Sequence, residues 1–244
     1  MKSVFPKIYK FLLFMLIFAG GVAAERTGLL AYVFDPYEFP YIISLIWQHL
    51  YLVAISMGFA TALGLSIGII LTRERFKKFA GVCMYVVSLG QTIPSLAVIA
   101  LAMSFLGIGA TPAIFALTIY SILPIARNTL AGIIAVPPPL INAARGMGMP
   151  PGRILLEVEL PNAMKVIITG FRVALIINIG TAALASLIGA GGLGDLIFSG
   201  ISLMEPDKLL AGAIPVTLMA LLADFLCDLG GLLLIPRGLQ LAER

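Results

Sequence analysis

Few side chains in this sequence could do chemistry, and their spacing limits what that chemistry could be. His49 is the only histidine, so sites that need paired imidazoles are excluded. Cys83 and Cys227 lie in apolar runs, with no Cys-x-x-Cys pair and no neighbouring histidine. They read as small buried side chains rather than metal ligands. No Gly-x-x-x-x-Gly-Lys-Ser/Thr phosphate loop occurs, so the chain is not expected to hydrolyse ATP itself. Asp224 and Asp228, spaced i, i+4, share one helix face. That pair would suit an ion-coupling site, but pairing with basic residues near the same end of the helix is the favoured reading. No catalytic cluster and no metal set emerges.

The elements that must position these residues follow from composition. Apolar residues make up 60% of the 244, and Asp, Glu, Lys and Arg together only 11%, against roughly 25% charged residues in a soluble domain. Lipid accepts apolar side chains that a soluble fold would have to bury. A spanning helix needs about 20 such residues, and six stretches qualify or come close: about 8–24, 48–72, 79–107, 111–135, 163–188 and 208–235. Pro94 and Pro124 interrupt the third and fourth. The expected fold is therefore all-α and polytopic. It has a transmembrane domain over about 48–236, an N-terminal span or signal-like segment over 1–24 and a periplasmic segment over 25–47. Residues 1–24 read as a span, and they also resemble a secretory signal with its small-residue cleavage site.

Charge sets the expected orientation. Fourteen of the 16 Lys and Arg residues fall on one side, in the N-terminal tail, at 73–78, between 127 and 172, and after the last span; only Arg26 and Lys208 fall on the other. Cytoplasmic loops collect Lys and Arg, so the C-terminus is expected in the cytoplasm and residues 25–47 and 189–207 outside. This distribution accounts for the net charge of +4 without a nucleic-acid partner. Phe34, Tyr37, Phe39, Tyr41, Trp47 and Tyr51 read as an interfacial aromatic belt rather than a cage for a cation. Polar residues inside spans are costly and often functional. Gln91 and Thr92, beside Pro94, and Asn178 and Thr181 are candidates to line a pathway, or else to hydrogen-bond between helices. The glycine run Gly189–Gly194, followed by Asp195, suits an external re-entrant turn or a plain linker.

The most informative stretch is the connection over 136–162, too long for a minimal hairpin between spans. Pro137 to Pro139 stop the preceding helix. Leu140 to Met147 can form a short helix with Ala143 and Ala144 on one side, ended by Gly148 and the turn Pro150-Pro151-Gly152. Arg153 to Leu160 then makes a second turn of helix before Pro161 opens the fifth span. Small residues allow close approach of another backbone, so this knuckle suits the cleft of a soluble partner.

Asn142-Ala143-Ala144, three residues, Gly148, nine residues and Val158-Glu159-Leu160-Pro161 resemble the cytoplasmic loop of binding-protein-dependent ABC importer permeases. The usual pattern there is Glu-Ala-Ala, three residues, Gly, nine residues, Ile-x-Leu-Pro. Asn142 stands where that family has Glu, and Val158 where it has Ile. Gln91-Thr92-Ile93-Pro94-Ser95-Leu96, Leu123 to Thr129, and Asn178 through Asp195 are similar to the osmoprotectant branch, which carries glycine betaine, choline or carnitine. The resemblance implies a five-helix permease core and two permeases, identical or related, that pair in the inner membrane. It also implies ATP-binding subunits that hold the nucleotide, a separate solute-binding protein, and alternating access. It assigns coupling to Asn142, Ala143, Ala144, Gly148, Leu160 and Pro161. An amino-acid importer is the alternative. An ion-coupled secondary transporter would need repeated halves and intramembrane charges placed for ion binding, and no inverted repeat is evident.

Overall fold

The computed structural model describes Gly21 and residues 25–234. Every regular element among the described residues is helical: α1 (Leu29–Val33), α2 (Glu38–Thr72), α3 (Ala80–Thr92), α4 (Ser95–Leu106), α5 (Ala110–Ile134), α6 (Pro138–Gly146), α7 (Pro151–Ile154), α8 (Leu160–Ala182), α9 (Gly194–Leu203) and α10 (Pro206–Leu234). Tight turns at Lys77–Phe79 and Ala183–Ile188 and a π-wound stretch at Leu155–Glu159 join them. The stretch expected over 8–24 lies, apart from Gly21, outside the described residues.

Among the described residues, four helices are long and apolar enough to cross a membrane, at Glu38–Thr72, Ala110–Ile134, Pro151–Ile188 and Pro206–Gly231. The expected third span is instead a bent pair, Lys77–Thr92 and Ser95–Leu106, meeting at 94°. Pro94 sets the bend, because its ring drives the preceding residue out of the helical region; Ile93 sits at ψ 130°. Two other boundaries differ from expectation. α2 starts at Glu38 rather than near 48, since Ile42 and Leu45 continue its buried face against Leu193, Leu196 and Ala211. The fifth span begins at Pro151 rather than after Pro161. The π-wound turn lies immediately before Pro161, where the ring removes a donor, and the chain stays helical through it.

α5 is the central helix, packed along both α2 and α8. These three approach closely at small residues. A Cβ on Gly68 would lie 2.5 Å from Thr129 Cβ, and one on Gly170 would lie 2.5 Å from Asn128 Cβ. Lipid provides no hydrophobic drive between helices, so packing of this kind is what holds spans together. α10 packs on α8 and α9 and leaves Leu218, Leu221, Leu222 and Phe225 exposed.

α9 has ten residues, too few to span, so the segment between α8 and α10 folds back. Its tight turn needs glycine: Gly189, Gly191 and Gly192 all have positive φ, and Gly191 has no room for a Cβ beside Gln48. The turn is fastened to α2, where Gln48 Oε1 accepts the Gly192 N–H at 3.1 Å and the Tyr41 hydroxyl donates to Asp195. His49, fully buried, donates from Nε2 to the Ile179 carbonyl at 3.0 Å. Close by, Tyr32 donates to Glu38 at 2.8 Å; burial first, then that carboxylate, pushes the Tyr32 hydroxyl well above its ordinary range. Phe34, Tyr37, Trp47 and Tyr51 remain exposed.

Candidate coupling loop and translocation pathway

The connection over 136–162 forms a knuckle at the end of the bundle that also carries Arg73–Lys78. Pro138 and Pro139 open α6, where a missing N–H costs nothing because the first turn has no partner for it. Gly148 closes it at φ 78°. There Gly148 N–H donates to the Arg145 carbonyl at 2.9 Å, and Met149 N–H to the Ala144 carbonyl at 3.1 Å. This paired closure favours glycine at the left-handed position.

The two alanines face different surroundings. Ala144 is 1% exposed and faces the bundle, whereas Asn142 and Ala143 are exposed. Leu140 and Met147 are exposed with them, and the Asn142 side chain makes no hydrogen bond to another described residue. Leu160 packs with Ile141 and Leu155 against Ile133, Val136, Ala163 and Ile167, which ties α6 to the start of α8. Pro161 is half-buried beside it.

An ion pair not singled out from sequence braces this base. Arg73, at the end of α2, donates to Glu159, whose side chain is 11% exposed. The guanidinium also donates from Nε to Thr72 Oγ1 at 3.0 Å. Glu159 stood inside the Val158–Pro161 pattern, but nothing in the spacing named Arg73 as its partner.

The polar residues within the spans divide by role. Pro124 has no N–H to offer the Tyr120 carbonyl four residues earlier. Gln91 Nε2 supplies that bond from α3, at 2.9 Å. Thr92 is exposed and returns its hydroxyl to the Leu89 carbonyl. Asn178 is 1% exposed. It takes the Ser56 hydroxyl on Oδ1 at 3.1 Å and donates from Nδ2 to Ser121 at 2.8 Å, which joins α2, α5 and α8. Thr181 donates to the Ile177 carbonyl and borders a small cavity with Ser95, Ile99 and Tyr120. The buried Tyr120 hydroxyl has no partner among the described residues. Gln91 and Asn178 thus both bond to α5, Gln91 at Tyr120 and Asn178 at Ser121. Asp224 and Asp228 are paired through Arg172, whose Nη2 donates to Asp224 at 2.6 Å and whose Nη1 donates to Asp228. Pairing with a basic residue was the favoured reading of the two carboxylates. Among the described residues no cluster of His, Cys, Asp and Glu suits a metal.

The family of binding-protein-dependent transport system inner membrane components matches residues 62–237, which take in the bent pair, α5, the knuckle and both later spans. The chain belongs to that family. It is therefore a multi-pass inner-membrane permease, and membership implies ATP-binding subunits and a second permease beside it.

Several curated permeases are similar. The carnitine transport permease protein OpuCB of Listeria monocytogenes is 48% identical over 179 residues, 73% of this chain and 81% of that one. The osmoprotectant import permease protein OsmY of Salmonella typhimurium is 50% identical over 189 residues, covering 78% and 80%. The choline transport system permease protein OpuBB of Bacillus subtilis is 42% identical over 194 residues, covering 80% and 88%. Among solved structures, the inward-facing MetNI methionine ABC transporter superposes with a TM-score of 0.71 at 24% identity, over 80% of this chain and 96% of that one. An amino acid ABC transporter gives 0.67 at 23%, over 82% and 96%. At those identities the structures establish the permease fold alone.

Proposed function

We infer that this permease is the membrane-spanning subunit of an ATP-driven importer of osmoprotectants, compounds such as glycine betaine, choline or carnitine. The observation that carries the importer reading is the knuckle. α6 presents Asn142 and Ala143 outward on a short rigid helix, anchored inward by Ala144 and closed by Gly148. A coupling element must transmit force, so it must be both docked and braced. Leu160, Pro161 and the Arg73–Glu159 pair brace it from behind.

The basic end of the bundle lies in the cytoplasm, where ATP-binding subunits dock on the paired knuckles of two permeases, identical or related. ATP holds those subunits closed and turns the pathway outward to a separate solute-binding protein; hydrolysis resets it. Gln91 and Asn178 bond to the middle of α5, at Tyr120 and Ser121, and Thr181 borders a cavity beside Tyr120; with Thr92 they are the polar groups assigned to the pathway. The solute class rests on relatives 42–50% identical that are named for carnitine, choline and osmoprotectants.

The test is reconstitution of the chain with its ATP-binding and solute-binding partners in vesicles. ATP-dependent uptake of labelled glycine betaine, choline or carnitine is expected, with none of methionine, and the chain alone hydrolyses no ATP. Concentrative uptake by the chain alone on an ion gradient would overturn the importer reading. Uptake of amino acids instead of quaternary ammonium compounds would overturn the solute class only.

A further inference from the structure

A groove of about 480 Å³ runs between α3 and α5 at the basic end of the bundle. Gly81, Met84 and Tyr85 form one wall, and Arg127, Leu130 and Ile134 the other. The surface is mostly apolar; Arg127 is its one charged group, Ser88 returns its hydroxyl to the Met84 carbonyl, and no carboxylate lines it. Arg127 is exposed, and its side chain makes no hydrogen bond or ion pair to another described residue. It lies seven residues before the end of α5, about 10 Å along the axis. From there a long side chain reaches the membrane surface while its stem stays in hydrocarbon.

The mouth of the groove adds charge of the same sign. α3 is preceded by Arg73-Glu74-Arg75-Phe76-Lys77-Lys78-Phe79. Arg73 is committed to Glu159, which leaves Arg75, Lys77 and Lys78 against the single carboxylate of Glu74. Phe76 and Phe79 are exposed, with Arg75 5.6 Å and Lys78 5.3 Å from their ring centres. Alternating rings and cations are what a segment lying in the interfacial layer presents.

We propose that this groove binds an anionic phospholipid, with its phosphate on Arg127 and the Lys77–Lys78 turn and an acyl chain between Tyr85 and Ile134. Charge complementarity selects this occupant. An acyl chain matches the apolar walls, and a phosphate is the anion that the unpaired guanidinium lacks. A zwitterionic lipid would bring its own ammonium into a site that already holds three or four cations. The orientation given above places the groove in the cytoplasmic leaflet, where anionic lipids gather; the site chemistry itself does not depend on that orientation.

The test uses the full chain in vesicles. Trp47 is the only tryptophan, so a Trp47→Phe, Tyr85→Trp variant carries one fluorophore, in the groove. Its quenching is compared between brominated phosphatidylglycerol and brominated phosphatidylcholine. Phosphatidylglycerol is expected to quench at several-fold lower mole fraction. Arg127→Gln should lower that preference about fivefold, the factor for one basic residue near an anionic headgroup, while Arg127→Lys keeps it. If Arg127→Gln cannot be purified folded, Lys77→Gln with Lys78→Gln makes the same comparison with a reduced preference expected. Equal quenching by the two lipids would overturn the proposal. So would quenching by neither, which would mean that a second permease or the solute pathway covers the groove.

Discussion

At the scale of single residues, Gln91 and Asn178 are held by partners from other helices, whereas Thr92 and Thr181 bond within their own. Gln91 is the clearest case, because the carbonyl it meets is the one that Pro124 leaves without a donor. Gln91→Ala should cost about 1 kcal/mol, the usual worth of one such bond. In a Pro124→Ala background the same change should cost almost nothing, since residue 124 then bonds to the Tyr120 carbonyl itself. Denaturation of the parent and the three purified variants in detergent reads this, and an equal cost in both backgrounds would refute the assignment. Arg73 and Glu159 invite a second cycle. The guanidinium is a third exposed, so the coupling energy belongs near the low end of buried pairs, about 1 kcal/mol. Glu159→Gln and Arg73→Gln should each lower stability, and together cost less than their sum.

At the scale of elements, α6 separates folding from docking. Ala144 is buried and Ala143 exposed one residue away, so the same bulky substitution should have opposite consequences. Ala144→Trp overpacks the base of the knuckle and should destabilise by about 1–3 kcal/mol. Ala143→Trp should leave the melting temperature within about 2 °C of the parent and abolish co-purification of the ATP-binding subunit. If Ala143→Trp still captures that subunit at parental yield, docking lies elsewhere. Much of this element was legible beforehand, because its prolines, small residues and closing glycine act locally. The bent pair was only half legible. Pro94 marked a break, but the 94° between its arms depends on what α3 and α4 pack against.

At the scale of the whole molecule, orientation is the property that every functional statement depends on. In a Cys83→Ala, Cys227→Ala background, Tyr37→Cys should react with a membrane-impermeant maleimide on intact cells. Leu140→Cys should react only after permeabilisation. The reverse pattern would invert the proposed topology and put the knuckle out of reach of ATP-binding subunits. α2 also shows how a boundary escaped hydropathy. Glu38, Gln48 and His49 dilute the apolar run before Leu50, yet Glu38 and Gln48 are met by Tyr32 and Gly192, and His49 by Ile179. A helix of 35 residues reaches about 52 Å, well beyond the roughly 30 Å hydrocarbon layer.

Sequence alone determined that the chain is helical and lives in lipid, roughly where four of its spans lie though not where two of them begin, which end is basic, and that the Asn142–Pro161 spacing resembles that of a permease. All of these are properties of composition or of neighbours along the chain. Tertiary structure decided which distant groups meet. Gln91 meets the Tyr120 carbonyl, Asn178 meets Ser56 and Ser121, Arg172 meets both aspartates, and Glu159 meets Arg73. The reason is physical: such pairs depend on the rotation and tilt of one helix against another. Close approaches at Gly68 and Gly170 set those, and no periodicity within a single helix encodes them.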